Sequence, residues 1–356
     1  MRHENQATRE TSTVPVRIIQ VGLGAWGQDW AKNVLPEVEE VESVAWVDFD
    51  PRSLEVIQAT MGIPAERCFT DLAAAFSAVE ADAVLATVSL PAHVPVALAA
   101  LEADKHVLVE KPFAMTLADA RCVVDVAAAR DRVIMVSQNY RFYQAVQAAA
   151  NLVREGELGQ VGAVNVDFRR NMPAVLDDGN PYLAQDHPLL MDMAIHHFDL
   201  MRAVLGQEPV SVACHAWNPP WRDVHGLLSA AATITFDGGA VVNYRGSWTS
   251  PGPKTAWAGE WRMECARGEI VWTSRDRESV IVRPLDEPAR ELALPSLDHS
   301  GRAGVLHAFA TAIGTGSSTA AHGTTLCKNW RQCTGNLAPP TQTLPPRRTK
   351  SYLWEN

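Results

Sequence analysis

Between Val16 and about residue 140, short apolar runs alternate with stretches of helical period. The runs VRIIQVG (16–22), SVAWVDFD (43–50), DAVLATVS (82–89), KHVLVE (105–110) and VIMVSQN (133–139) are predicted strands. Between them WGQDWAKNVLPEVEEV (26–41, at least in its opening turns), PRSLEVIQATMG (51–62), PAHVPVALAALEAD (91–104) and TLADARCVVDVAAARD (116–131) are predicted helices. Continuous apolar strands alternating with helices predict βαβ units and a parallel sheet covered on both faces. After about residue 160 the rhythm changes. VGAVNVDFRR (161–170), VSVACHAW (210–217), AAATITFD (230–237), GAVVNYRGSW (239–248), WRMECARG (261–268) and EIVWTS (269–274) are predicted as longer strands, with FDGGAV (236–241) a hairpin turn. One helix, from roughly Leu189 to Leu205, interrupts them. The pattern therefore predicts an α/β protein: a doubly wound parallel sheet followed by an α/β domain with an open, mostly antiparallel sheet. No internal repeat is visible.

Length and composition narrow the field. A chain of 356 residues suggests two domains. A net charge of -10 argues against nucleic acid or an anionic membrane as the main partner, and no apolar run approaches the roughly 20 residues of a membrane span. The first thirteen residues, MRHENQATRETST, are polar and read as a disordered lead-in rather than a secretory leader. Six scattered cysteines without a CxxC pair suggest free thiols and a cytoplasmic location. Six of the eleven tryptophans lie between Trp217 and Trp272. Core packing is the first expectation for them, and an aromatic wall for a sugar ring the alternative.

The first strand runs into Gly22-Leu23-Gly24-Ala25-Trp26-Gly27 and then a helix. Gly22 permits the tight turn, Gly24 lets a pyrophosphate approach the backbone, and Gly27 lets helix and strand pack closely. The free N–H groups at the helix start, over Ala25 and Trp26, face the phosphates. Asp48 ends the second strand at the spacing expected of a carboxylate that accepts hydrogen bonds from the adenosine ribose and repels a 2′-phosphate. That favours NAD over NADP as cofactor. Arg52 could accommodate a phosphate, but the first expectation is a surface residue of the next helix.

A second constellation lies in MDMAIHHFDLMRAVLG (191–206). Asp192, His196 and Asp199 stand at i, i+4 and i+7 and share one helix face, while Met193, His197, Leu200 and Val204 form a neighbouring stripe that can pack. A neutral histidine can take a hydroxyl proton and a carboxylate can orient it. A metal site here is not expected, because adjacent histidines diverge by about 100° on a helix. Of Arg169 and Arg170, consecutive on a strand, only one can face a site, where it could grip an acidic substrate; Arg169 is the candidate. Asp186 and His187, just before the helix, are candidates to line the pocket.

GLGAWG, Asp48, SLPAHV, HVLVEKPFA, NYRF and MDMAIHHFDL follow one another in an order that resembles the Gfo/Idh/MocA oxidoreductases, over roughly residues 14 to 322. The resemblance implies an N-terminal Rossmann domain, NAD(P) as cofactor, and sugars, cyclitols or related polyols as substrates. It implies that Lys111 hydrogen-bonds the reacting hydroxyl, that Lys111-Pro112 is a cis peptide, and that Glu110 contacts the cofactor ribose. His196 would be the general base, with Asp192 orienting it or holding a substrate hydroxyl. Ser89, Pro91 and His93 match the loop along the cofactor. Ala92 departs from the asparagine often found there, which weakens any side-chain role for that position. Asn139 would stand near the nicotinamide and Arg141 near the substrate.

The pattern fails after LHAFATAIGTG. The segment GTTLCKNWRQCT (323–334) can be encoded by bases that, read one step out of frame, give Asp-Asn-Leu-Val-Gln-Lys-Leu-Ala-Ala-Met-Tyr, an amphipathic and family-like sequence. This raises the expectation of a frameshift near Gly323, which sequencing the gene tests; the alternative is a divergent disordered tail. The expected division is thus a lead-in at 1–13, a cofactor domain at 14–140, a substrate-binding and oligomerisation domain at 141–322 and an atypical tail at 323–356. The expected activity is NAD-dependent oxidation of a secondary hydroxyl. Two alternatives stand beside it: an oxidoreductive glycoside hydrolase with recycled NAD, and a cofactor-binding regulator without catalysis. A homodimer or homotetramer is expected from the resemblance.

Overall fold

The computed structural model describes residues 14–172, 186–222, 224–273 and 277–316. The first domain alternates strands and helices, as the pattern predicts for all but β3 and α3: β1 (Val16–Val21), α1 (Ala25–Asn33), β2 (Val41–Val47), α2 (Pro51–Met61), β3 (Cys68–Phe69), α3 (Leu72–Ala78), β4 (Ala83–Ala86), α4 (Leu90–Glu102), β5 (His106–Val109), α5 (Leu117–Ala129) and β6 (Ile134–Val136). The six strands are all parallel in the order β3-β2-β1-β4-β5-β6. The order reverses direction at β1/β4, which leaves a crevice beyond the carboxyl ends of those strands where ligands of such sheets bind. β4 is buried throughout and β5 in all but its first residue, with one apolar cluster on each face of the sheet. Helix ends carry local reasons. Asp50 accepts the Arg52 N–H at the start of α2, Thr116 accepts the Asp119 N–H at the start of α5, and Gly62 ends α2 in the left-handed region.

The second domain holds α6 (Gln144–Glu155), β7 (Val161–Arg169), a π-helical turn (Leu189–Ala194) running into α7 (Ile195–Leu205), β8 (Pro209–Trp217), β9 (Ser229–Phe236), β10 (Val241–Ser247), β11 (Glu260–Cys265), β12 (Gly268–Thr273), β13 (Ser279–Pro284) and β14 (Arg290–Glu291). They form an eight-stranded sheet in the order β14-β13-β12-β11-β7-β10-β9-β8, antiparallel except for β7 beside β10. The FDGGAV hairpin closes with the Phe236 N–H on the Ala240 carbonyl at 2.9 Å and Gly239 at φ 90°. One face of the sheet packs on α6 and α7. Trp248, Trp261 and Trp272 are buried there, as expected of core residues, whereas Trp257 and Trp221 are 40% and 66% exposed.

The pattern carries no expectation for β3, α3, β13 and β14, and two helices depart from it as well. α6 buries Ala145, Val146, Ala148, Ala149, Ala150 and Leu152, a face so rich in alanine that its hydrophobic period is weak. α8 (Gly301–Thr315) begins five residues before LHAFATAIGTG and packs Val305, Leu306 and Phe309 against Ile18, Leu108 and Val133 of the first sheet. The chain thus returns to its first domain, a crossing that a linear division at residue 141 does not express. Cys68, Cys122, Cys214 and Cys265 carry free thiols. Among the described residues, no helix is long and apolar enough to cross a membrane. The lead-in at 1–13 and the tail at 323–356, with its proposed frameshift, lie outside the described residues.

Candidate active site

β1 ends in a turn at Gly22, where φ is 94°. A Cβ there would stand 2.7 Å from the Val88 nitrogen, and one on Gly27 would stand 2.0 Å from the Gly22 carbonyl oxygen. Both glycines are required by the protein's own packing. Gly24 is different: nothing lies within 4 Å of the place its Cβ would take. Gly24, Ala25 and Trp26 are exposed, and no side chain caps the α1 start. This is an open row of main-chain donors at the positive end of a helix, and it fits a pyrophosphate. From beneath, the Gln20 amide donates to the Gly27 carbonyl at 2.7 Å, and the Thr87 hydroxyl to the Gly22 carbonyl at 2.6 Å. These two braces carry no sequence signal of their own.

Asp48 follows β2 and is buried. One carboxylate oxygen accepts the Leu23 N–H at 2.6 Å and the other the Asp50 N–H at 2.9 Å. Each oxygen retains a lone pair for a ribose hydroxyl. Arg52 is turned onto Asp50, with Nη2 2.8 Å from Oδ2. Beside Asp48 the Phe49 ring is 89% exposed. The donor strip, the carboxylate and the bare ring together fit an adenine dinucleotide.

The strand ending in Glu110-Lys111-Pro112 reaches the other domain. The Lys111 ammonium donates to Asp192 Oδ1 at 2.7 Å and to the Asp192 carbonyl at 3.4 Å. The Lys111-Pro112 peptide is cis. One turn along the helix His196 is 4% exposed and stacks on Tyr140 with ring centroids 4.3 Å apart. Its Nδ1 donates to Gln138 Oε1 at 2.8 Å, with the amide so oriented, which leaves Nε2 with the lone pair. Burial, then the Lys111 charge and His197, holds the His196 pKa well below the usual imidazole value, so the ring is neutral at pH 7. Asp192, His196 and Asp199 all contact groups from the first domain or its exit, as their shared face predicts. His197 points the opposite way. Its nitrogens meet the Tyr244 hydroxyl at 3.1 Å and the Trp257 carbonyl at 2.9 Å, and burial lowers its pKa to about 4.

Several expectations change. His196 is oriented by Gln138, because the Asp192 carboxylate is drawn to the Lys111 ammonium instead. Glu110 is 4% exposed and turned inward. It accepts the buried Trp30 indole N–H at 2.8 Å and the Lys111 main-chain N–H at 3.0 Å, and so fixes Lys111. His93 is also buried, with ring nitrogens 2.7 Å from the Pro112 carbonyl and 3.1 Å from the Val88 carbonyl. It braces the Lys111-Pro112 turn from behind rather than facing a cofactor. Arg141 spends Nε and Nη2 on Asp199, both at 2.6 Å, and clamps α7 to the end of the first domain. Its fork is not presented to a substrate.

Arg169 lies on the outer face of the second sheet, with Nε 2.8 Å from Asp167, because Phe168 takes the inner face. The residue that turns inward is Arg170. Its guanidinium sits 4.3 Å from the Trp257 ring centroid, and its charge is felt at the Tyr140 phenol, as is that of Asp192. Nε of Arg170 and Nδ1 of His187 are buried atoms without a hydrogen-bond partner among the described residues. Burial pushes the Arg170 pKa down. Ser89 and Pro91 are exposed at the α4 start and Asn139 is half-buried after β6. Asp186 lies at the surface, 3.3 Å from His225.

Comparisons with known proteins bear on the fold and on the two domains. Residues 16–138 match the model described as oxidoreductase family, NAD-binding Rossmann fold, and residues 146–271 match the GFO/IDH/MocA C-terminal domain. D-apiose dehydrogenase of Paraburkholderia graminis is 33% identical over 48% of this chain and 44% of its own. Myo-inositol 2-dehydrogenase of Thermotoga maritima is 28% identical over 54% and 56%. The chain spans about half the length of these two relatives. An inositol dehydrogenase homologue from Azotobacter vinelandii, solved with NADH and myo-inositol, superposes with a TM-score of 0.75 at 20% identity, covering 90% of this chain and 94% of that one. The fold, the two matched domains and their order place this chain in the GFO/IDH/MocA family of oxidoreductases.

Proposed function

We propose that the chain oxidises a secondary hydroxyl of a sugar- or polyol-type substrate, using Lys111 and His196 to manage the proton. The observation that carries this reading is the Lys111–Asp192 contact of 2.7 Å across the crevice, with neutral His196 one helical turn away. NAD held along Gly24–Trp26 and Asp48 would supply the hydride acceptor. A cation at Lys111 stabilises charge developing on the substrate oxygen. His196 Nε2 accepts the hydroxyl proton while Gln138 holds the ring. Asp192 fixes the ammonium and can accept a second substrate hydroxyl. Asp48 favours NAD over NADP, since Arg52 already faces a carboxylate of its own. Asn139, Ser89 and Pro91 remain candidates for the cofactor's path.

Arg170 sharpens the substrate class. A guanidinium half-desolvated on an indole, without a carboxylate partner among the described residues, is a ready receptor for an anion. The preferred substrate is therefore a polyol bearing a carboxylate, with His187 as a second donor candidate. The open face of the second sheet, where Asp167 meets Arg169 and Arg245, is the proposed surface for self-association.

The test follows NADH formation across matched neutral and acidic substrates: hexoses, pentoses and cyclitols against the corresponding sugar acids. The expected result is reduction of NAD with the acids preferred, a preference lost in Arg170→Leu. Sugar release from aryl glycosides without net NADH would replace the dehydrogenase reading with the hydrolase one. Tight NAD binding without turnover on any substrate would favour a regulator.

A further inference from the structure

At the opposite end of the first sheet stands a cluster that the crevice does not use. Glu40 immediately precedes β2, His299 lies two residues before α8, and His307 is in the second turn of that helix. Each offers one ligand atom, and these atoms all lie within 4.8 Å of one another. Glu40 Oε1 and His307 Nδ1 are 3.0 Å apart, and the two imidazole centroids are 5.0 Å apart.

The 3.0 Å contact of Glu40 Oε1 with His307 Nδ1 is close enough for an ion pair but is not aligned as a hydrogen bond. His307 Nδ1 and Glu40 Oε2 are both buried atoms without a hydrogen-bond partner among the described residues. Buried polar atoms are normally paired, and leaving them unpaired is costly. A cation bound by Nδ1 and the Glu40 carboxylate resolves this. Ligand bonds of about 2.1 Å opening at 90–110° hold their donor atoms about 3.0–3.4 Å apart, the spacing already present between Glu40 and His307.

We propose that Glu40, His299 and His307 bind a divalent transition-metal ion, zinc by preference. Two imidazole nitrogens and one carboxylate oxygen form a borderline donor set. Magnesium and calcium call instead for oxygen shells. Three protein ligands leave a position for water. The ion would do no work on the substrate, because Glu40 precedes the amino end of β2 while Asp48 follows its carboxyl end. It would instead fasten α8, where the chain returns from the second domain, to the edge of the first.

The test uses the full-length chain, stripped with a chelator and titrated with zinc by calorimetry and with cobalt by visible absorption. The expected result is one saturable equivalent, a cobalt spectrum of low coordination number, and a rise of about 4 °C or more in Tm at saturating zinc. A His299→Ala/His307→Ala double variant that still binds NAD should lose all three signals. Glu40→Gln, a milder change, should weaken zinc binding at least tenfold. Equal zinc binding by wild type and the double variant would place the ion elsewhere and overturn the proposal. So would the absence of saturable binding by the wild-type chain.

Discussion

In the first domain the groups proposed to face the cofactor lie within 25 positions of one another. Main-chain donors of residues 24–26 and the Asp48 carboxylate are joined by the 2.6 Å bond from Leu23 to Asp48. The groups proposed to handle the proton are assembled differently: Lys111 and Asp192 stand 81 positions apart, Gln138 and His196 58 apart. The cofactor strip depends on backbone shape, so glycine and a helix start suffice. The reaction site depends on charge and tautomer, so each side chain needs a second one to hold it. Glu110 and His93 belong to that second kind. Both face inward and keep Lys111 where Asp192 can meet it.

Breaking the reaction site should cost more than trimming the strip. Lys111→Ala should lower kcat/KM about 10³-fold, the loss typical of a preorganised oxyanion donor, with the NAD Kd changed less than about threefold; steady-state kinetics and cofactor titration separate the two. Gly24→Val should do the reverse, weakening NAD by about 100-fold, because its side chain enters the space left for the pyrophosphate. A Gly24→Val variant that binds NAD normally would move the cofactor off this strip.

The buried histidines make a pH prediction. Both His196 and His197 have folded pKa values below the unfolded one. The unfolded chain therefore binds protons that the folded chain refuses, and stability is lost as pH falls below about 6.5. His197 alone, at about 4, accounts for about 3 kcal/mol across that interval. Denaturant midpoints at pH 7 and pH 4.5 check the sign. For the same reason oxidation should be flat from about pH 8 to about pH 6.5 and fall only below that. Gln138→Leu frees the His196 tautomer and should cost about tenfold in kcat with a displaced acid limb. The smallest effect is expected at Phe49→Ala, a few-fold weaker NAD by loss of a face for adenine.

The fold is largely legible in the sequence because the parallel strands are apolar on both faces and the helices between them keep their period. α6 is not, since alanine buries a face without marking it. The glycine strip and Asp48 are legible because their work is local. At the reaction site, Lys111, Asp192 and His196 can be named from the resemblance, but their partners cannot. Gln138 has no motif, and whether Asp192 faces an imidazole or an ammonium is decided by a strand end 81 positions away. Arg169 and Arg170 are separable only by which of them follows the buried Phe168, a matter of strand phase at the end of the central strand β7.

The central claim is that an ammonium from one domain and an imidazole from the other act on one substrate oxygen. A double-mutant cycle of Lys111→Ala and His196→Ala, measured as kcat/KM with the best substrate of the NAD-reduction screen, addresses it directly. If the two act as a unit, the double variant should be no more than about threefold slower than the worse single one. Losses that multiply, or singles that retain wild-type rates, would contradict it.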